Sequence, residues 1–188
     1  MHLPARKKLR NGIEVEIDWM HPQDGQQVRA LFNTVIVEGE TYPQDKPLSD
    51  EEFTAYWLNR DAFVVRAVED TNIQQQRDRA VLGAFFLKPN FPGRCSHIAN
   101  AGFIVQPQMR GQGIGRLMGE EMLKIAANLG DRAVMFNLVF ETNIPSIRLW
   151  KSLGFETIGR IPKAVISDGK VVDALMMYKS LGAGDFRF

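Results

Sequence analysis

Apolar positions along the chain fall into alternating helical and extended patterns. Glu14–Trp19 alternates like a strand. Val28, Leu31, Phe32, Val35 and Ile36 then recur in three- and four-residue steps, which predicts a helix from about Asp24 to Val37 with one buried face. Gly39, Pro43 and Pro47 make Glu38–Leu48 a loop. Ser49-Asp-Glu-Glu52 is a capping-box pattern that opens a second helix, with Phe53, Tyr56 and Trp57 on its inner face. Ala62–Glu69 and Ala80–Leu87 read as strands around a polar, glutamine-rich loop, Asp70–Arg79. A loop at Lys88–Ser96 leads to a strand at His97–Val105. An amphipathic helix follows at about Gly115–Asn128, with Leu117, Met118, Met122, Ile125 and Leu129 inside and Gly130 as its stop. Ala133–Phe140 is an apolar strand, Asn143–Leu153 a helix, Phe155–Ile161 a strand, Ser167–Lys170 a turn and Val171–Lys179 a last strand. The order β-α-α-β-β-β-α-β-α-β-β describes one mixed α/β domain over residues 13–181, with a flexible segment at 1–12 and a tail at 182–188.

Composition narrows the picture. A chain of 188 residues with 45% hydrophobic and 24% charged residues fits one globular domain. The net charge of +1 gives no electrostatic reason to expect nucleic acid. The basic residues Arg6, Lys7, Lys8 and Arg10 read as a solvated terminus or a contact with an anionic ligand or partner. The single Cys95 allows no internal disulfide, which fits a reducing compartment. No apolar run reaches the roughly 20 residues that span a bilayer, and no apolar stretch follows the basic start as in a secretory signal. A cytoplasmic protein without a membrane partner is expected.

One segment asks for a ligand. Val105–Arg116 reads VQPQMRGQGIGR, with Gly111, Gly113 and Gly115 at every second position, flanked by Arg110 and Arg116. It lies between a strand end and a helix start, where unpaired N–H groups and the helix dipole favour an anion and bare backbone lets phosphate oxygens approach. It is no Walker A loop, because Arg116-Leu117 stands where Lys-[Ser/Thr] is required. Nor is it a dinucleotide fingerprint, because Gly115 comes one residue too soon.

The pattern [QR]-x-x-G-x-[GA], filled by Arg110, Gly113 and Gly115, resembles the pyrophosphate loop of the GNAT superfamily of acyl-CoA-dependent N-acetyltransferases. The element order from about residue 14 to 179 is similar too. So is NLVFETNIPSIRLWKSLGF, with Asn143 before a helix and Leu153-Gly154-Phe155 closing it. The blocks LKPNFPGRCSHIANAGF, FNLVFETN and TYPQ resemble the fungal L-azetidine-2-carboxylate acetyltransferases, which N-acetylate proline analogues. The resemblance implies a mostly antiparallel central sheet flanked by helices and splayed near Val105–Pro107. It implies acetyl-CoA as co-substrate and transfer to a small amine or imino acid by direct attack in a ternary complex. Such proteins often pair, so a homodimer is consistent with it. A peptide N-acetyltransferase and a non-catalytic acetyl-CoA sensor are the alternatives.

The resemblance also assigns roles. Backbone amides from Gly111 through Gln112, Gly113, Ile114 and Gly115 to Arg116 hold the pyrophosphate, with Arg110 and Arg116 as charge partners. Phe103, Ile104 and Val105 pair with the pantetheine arm, and an N–H near Val105 stabilises the thioester oxygen; Phe103 also borders the acceptor. Asn137 interrupts an apolar strand and serves either the site or a structural network. Asn143 is a CoA contact, an N-cap, or both. Asn100 touches the substrate carboxylate or is a polar edge position. Tyr42 forms an acceptor wall or packs as a loop aromatic. Trp150 stands where many members carry a tyrosine acid, and its indole supplies no acid near neutral pH. The thiolate can leave unprotonated, a thiol pKa being about 8.5. No residue stands out as the general base: His97 is either that base or a structural side chain, and a water held by Asn137 or by a backbone carbonyl is an equal candidate. Nothing near Cys95 activates it as a nucleophile, and no cluster has metal-ligand spacing, so no metal is expected.

Overall fold

Val15 and Ile17 are fully buried on β2 (Glu14–Trp19), where the alternation places them. The structure is a computed structural model that describes residues 3–58, 61–68, 80–167 and 169–182. The glutamine-rich loop, all but one residue of the tail and the tip of the Ser167–Lys170 turn lie outside the described residues.

The sequence reading leaves 1–12 as a flexible segment, but Ala5–Lys8 forms a strand, β1, antiparallel to β2. Arg6 stands opposite Glu16 and pairs with it, Nε to Oε2, at 3.2 Å. The turn between them is closed by Leu9 N–H donating to the Ile13 carbonyl at 2.8 Å, with Gly12 at φ 89°. Asn11-Gly12 is the turn signal that could have revealed this hairpin.

The five apolar residues expected on the first helix are the ones α1 (Gly25–Glu38) buries, and α1 ends at Gly39, which is left-handed at φ 70°. Ser49 caps α2 (Asp50–Phe53) reciprocally with Glu52, and the chain continues through a π-helical turn, Thr54–Leu58. The remaining elements are β3 (Asp61–Ala67), β4 (Val81–Pro89), β5 (Ile98–Val105), α3 (Ile114–Asn128), β6 (Ala133–Phe140), α4 (Ile144–Ser152), β7 (Glu156–Ser167) and β8 (Lys170–Ser180). The strands form one mixed sheet in the order β1-β2-β3-β4-β5-β6-β8-β7.

Internal contacts gather into two compact units: Met1–Phe86 with Gly102–Met118, and Leu87–Ala101 with Gly119–Phe188. They interleave along the chain, so neither is a contiguous domain. The core of the first is aromatic. Phe32 of α1 meets Tyr42 edge-on at 4.7 Å and Trp57 at 5.1 Å, and Trp57 lies 4.9 Å from Phe86 of β4. A buried ion pair joins Asp24, just before α1, to Arg66 of β3 at 2.5 Å; these side chains are 1% and 5% exposed.

In the second unit β6, β8 and β7 are antiparallel neighbours, and β5 runs parallel to β6 with Ile98 opposite Ala133 and Ala99 opposite Val134. The paired register of β5 with β6 ends at Ala99 and Val134. The β6–β8 register shifts between Phe136 and Val139, so a bulge frames Asn137. Phe136 packs on Trp150 and Phe155 at 4.5 and 4.8 Å. Leu129, expected inside, is 54% exposed, because α3 stops at Asn128 and Gly130 turns the chain away. β7 runs on past the expected Ile161 to Ser167, through a second register shift between Ile161 and Val165.

Candidate active site

The glycine segment opens with a 3-10 turn, Pro107–Met109. Gly111 and Gly113 are left-handed, at φ 74° and 96°, and a Cβ built on either would meet nothing within 4 Å. Both therefore present open backbone in a conformation that suits glycine. Leu117 N–H donates to the Gly113 carbonyl at 2.9 Å, so α3 starts at this loop, and first-turn amides have no acceptor within the helix. The Gln112 side chain is held inside the loop: it donates to the Gln108 carbonyl at 2.9 Å and accepts from Asn11 Nδ2 at 2.8 Å. The site thus fits a pyrophosphate group through bare backbone at a helix start.

Arg110 does something the sequence did not reveal. Its Nη2 lies 2.7 Å from Glu38 Oε2, at the end of α1, and its Nε donates to the Val105 carbonyl at 3.4 Å. The guanidinium is matched by a carboxylate.

Strand β5 sorts its backbone by parity. Gln106 N–H donates to the Leu82 carbonyl of β4 at 2.9 Å, and the Ile104 carbonyl comes within 3.0 Å of a Cβ built on Gly83. Even-numbered residues therefore turn to β4, and Phe103 and Val105 turn to the other edge. Ile104 and Ile114 have buried side chains, so any ligand contact they make is through backbone. The Phe103 ring stacks on Phe85 at 5.5 Å.

Tyr42 is not a surface aromatic. It is 9% exposed, and its hydroxyl donates to the Phe103 carbonyl at 3.1 Å. Burial pushes its pKa well above 10.0, reinforced by Tyr56. A Cβ on Gly102 would overlap the Phe86 ring and stand 2.8 Å from this hydroxyl, which is why β5 carries glycine there.

Three asparagines meet in the second unit. Asn90, just past β4, and Asn137 of β6 pair amide to amide: Asn90 Nδ2 donates to Asn137 Oδ1 at 3.0 Å, and Asn137 Nδ2 donates back to Asn90 Oδ1 at 2.6 Å. Asn100 Nδ2 of β5 donates to the same Asn90 oxygen at 3.0 Å. Asn137, mid-strand in an apolar run, is exposed. The sequence singled out Asn100 and Asn137 but not Asn90; its one signal was an asparagine beside Pro89 and Pro92 in a loop.

Asn143 caps α4, its Oδ1 accepting from Ser146 N–H at 3.1 Å. Trp150 is 5% exposed, packed among Phe136, Phe155 and Gly119. α4 turns Ile147 and Trp150 inward together. His97 is half-buried directly before β5, and Cys95 is exposed on a 3-10 turn. Among the described residues no group of three His, Cys, Asp or Glu side chains could hold a metal ion, and no helix is long and apolar enough to cross a membrane.

Comparison with known proteins agrees with this geometry. The family model described as "Acetyltransferase (GNAT) family" matches residues 31–155. The N-acetyltransferase aca1 of Schizosaccharomyces pombe is 39% identical over 142 residues, which are 71% of this chain and 68% of that protein. The L-amino acid N-acetyltransferase AaaT of Escherichia coli is 30% identical over 102 residues, 53% of this chain and 62% of its own. A GCN5-related N-acetyltransferase from Kribbella flavida superposes with a TM-score of 0.77 at 32% identity, covering 88% of this chain and 97% of that one. The fold is shared with a phosphinothricin acetyltransferase from Sinorhizobium meliloti, solved in complex with AcCoA, at a TM-score of 0.78 and 19% identity, over 91% of this chain and 90% of that one. Since the family match runs through the glycine loop, the three asparagines and the start of α4, this chain belongs to the GNAT acetyltransferase family and is an acetyl-CoA-dependent N-acetyltransferase.

Proposed function

We propose that the acceptor is a small amino or imino acid, acetylated on nitrogen by direct attack in a ternary complex, and that the enzyme detoxifies a proline analogue. The observation that carries this reading is the amide cluster of Asn90, Asn100 and Asn137. Uncharged amides that offer both donors and acceptors suit a ligand with an amine and a carboxylate close together. The similarity to an L-amino acid N-acetyltransferase supports the same class.

Acetyl-CoA supplies an activated acyl group when bound. The amides of Gln112–Arg116 hold its pyrophosphate, with Asn143 as a further contact. The odd-numbered edge of β5 pairs with the pantetheine arm, and the Val105 N–H donates to the thioester oxygen as charge grows there. The parity of β5 supports this, since Val105 turns away from β4. The amine nitrogen bonds to the carbonyl carbon, the C–S bond breaks and the thiolate leaves. The amine proton passes to a water held at Asn137, or to His97. Fixing both reactants in one geometry supplies much of the rate.

A thiol-release assay tests the reading, with L-azetidine-2-carboxylate, cis-4-hydroxy-L-proline, several primary amino acids, a polyamine and a short peptide as acceptors. Turnover with the free amino or imino acids and none with the peptide is the expected result. Turnover with the peptide alone would replace the reading with a peptide acetyltransferase.

A further inference from the structure

We infer that Asn90 is a positioning residue for acceptor recognition: it accepts hydrogen bonds from Asn100 and Asn137 on one oxygen and thereby sets which atoms those two amides present to the acceptor amine. This rests on the reading above that the amide cluster is the acceptor site.

An asparagine amide offers two N–H groups and an oxygen with two lone pairs. Both lone pairs of Asn90 Oδ1 are taken, by Asn100 Nδ2 at 3.0 Å and by Asn137 Nδ2 at 2.6 Å. One of its N–H groups goes to Asn137 Oδ1 at 3.0 Å. The Asn90 backbone is fixed as well, its N–H donating to the Ile98 carbonyl at 2.7 Å, so the side chain starts from an anchored position. Its partners come from two neighbouring strands, β5 and β6, with the β6 bulge framing Asn137.

The polarity of the outward face follows. Asn100 spends one N–H on Asn90, which leaves one N–H and both lone pairs of its oxygen. Asn137 spends one N–H and one lone pair, which leaves one of each. Asn90 needs no contact with the acceptor to impose this: turning its amide over would set N–H groups against the N–H groups of both partners. Asn137 is exposed, so it meets a ligand without any opening of the fold.

The test is a double-variant cycle in the thiol-release assay, with acetyl-CoA and the panel acceptor that the wild type turns over fastest. Asn90→Ala is expected to lower kcat/KM for the acceptor about tenfold, with the acetyl-CoA KM and the thermal midpoint unchanged. Asn90→Asp still accepts from both amides but cannot donate to Asn137, and should lose less; it serves as the working variant should alanine fail to fold. Combining Asn90→Ala with Asn137→Ala should cost little more than Asn137→Ala alone. Wild-type acceptor kinetics in both Asn90 variants would overturn the inference, and so would losses that multiply in the double variant. Wild-type protein that releases no thiol with any amine would remove the acceptor-site reading itself, a different result from an active wild type whose Asn90 variants are equally active.

Discussion

The Tyr42 hydroxyl donates to the Phe103 carbonyl at 3.1 Å, tying the loop after α1 to the edge of β5 that turns away from β4. A residue from the Thr41–Gln44 segment thereby occupies an acceptor on the strand proposed to receive pantetheine.

Removing that hydroxyl leaves the Phe103 carbonyl without this donor. Tyr42→Phe should cost about 1 kcal/mol in urea unfolding at pH 7. The difference should shrink and then reverse in alkali. Burial raises the folded pKa above 10.0, so above that pH the unfolded chain loses a proton that the folded protein keeps. Wild-type stability then falls with rising pH, relative to Tyr42→Phe. Parallel stability curves for the two proteins up to pH 11 would contradict the buried, neutral phenol.

Arg66 and Asp24 form an ion pair with almost no exposure. Removing one partner leaves a buried charge uncompensated, so Arg66→Met should cost about 3 to 5 kcal/mol. A fall in the thermal midpoint, with the acetyl-CoA KM of the folded enzyme intact, is the expected calorimetric and kinetic signature. A loss below about 1 kcal/mol would mean that the pair is solvated.

Gly113 is left-handed and faces open space. Gly113→Asp adds backbone strain and a carboxylate where the loop is proposed to hold pyrophosphate. Affinity for acetyl-CoA in a calorimetric titration should fall at least about tenfold, a change of about 1.4 kcal/mol, with circular dichroism unchanged. Unaltered affinity would refute the pyrophosphate assignment.

Asn137→Ala separates a site role from a structural one. The expected result is a kcat that falls more than the acetyl-CoA KM rises, with a near-native thermal midpoint. Lost stability with intact kcat would make the amide cluster a strut.

Local patterns carried most of the fold. The five inward residues of α1, the reciprocal cap at Ser49 and Glu52 and the strand at Ala133–Phe140 depend on neighbours three, four or two positions away, and each stands where it was read. The glycine loop was legible for the same reason: two left-handed positions before a helix start are a local demand. β1 escaped because its four residues bury no side chain, and its partner lies across the Asn11-Gly12 turn.

The sequence by itself determined the element order from β2 onward, the apolar faces and the glycine loop before α3, because periodicity and glycine φ act over a few residues. Only the tertiary structure decided the fate of the polar side chains. It matched Arg110 with Glu38, buried Tyr42 against β5, placed Trp150 in the core and joined Asn90 to Asn100 and Asn137. Apart from Asn90 with Asn100 and Trp150 with Phe155, those partners lie far apart in the chain, and which of them meet depends on strand order and register, which no local pattern encodes.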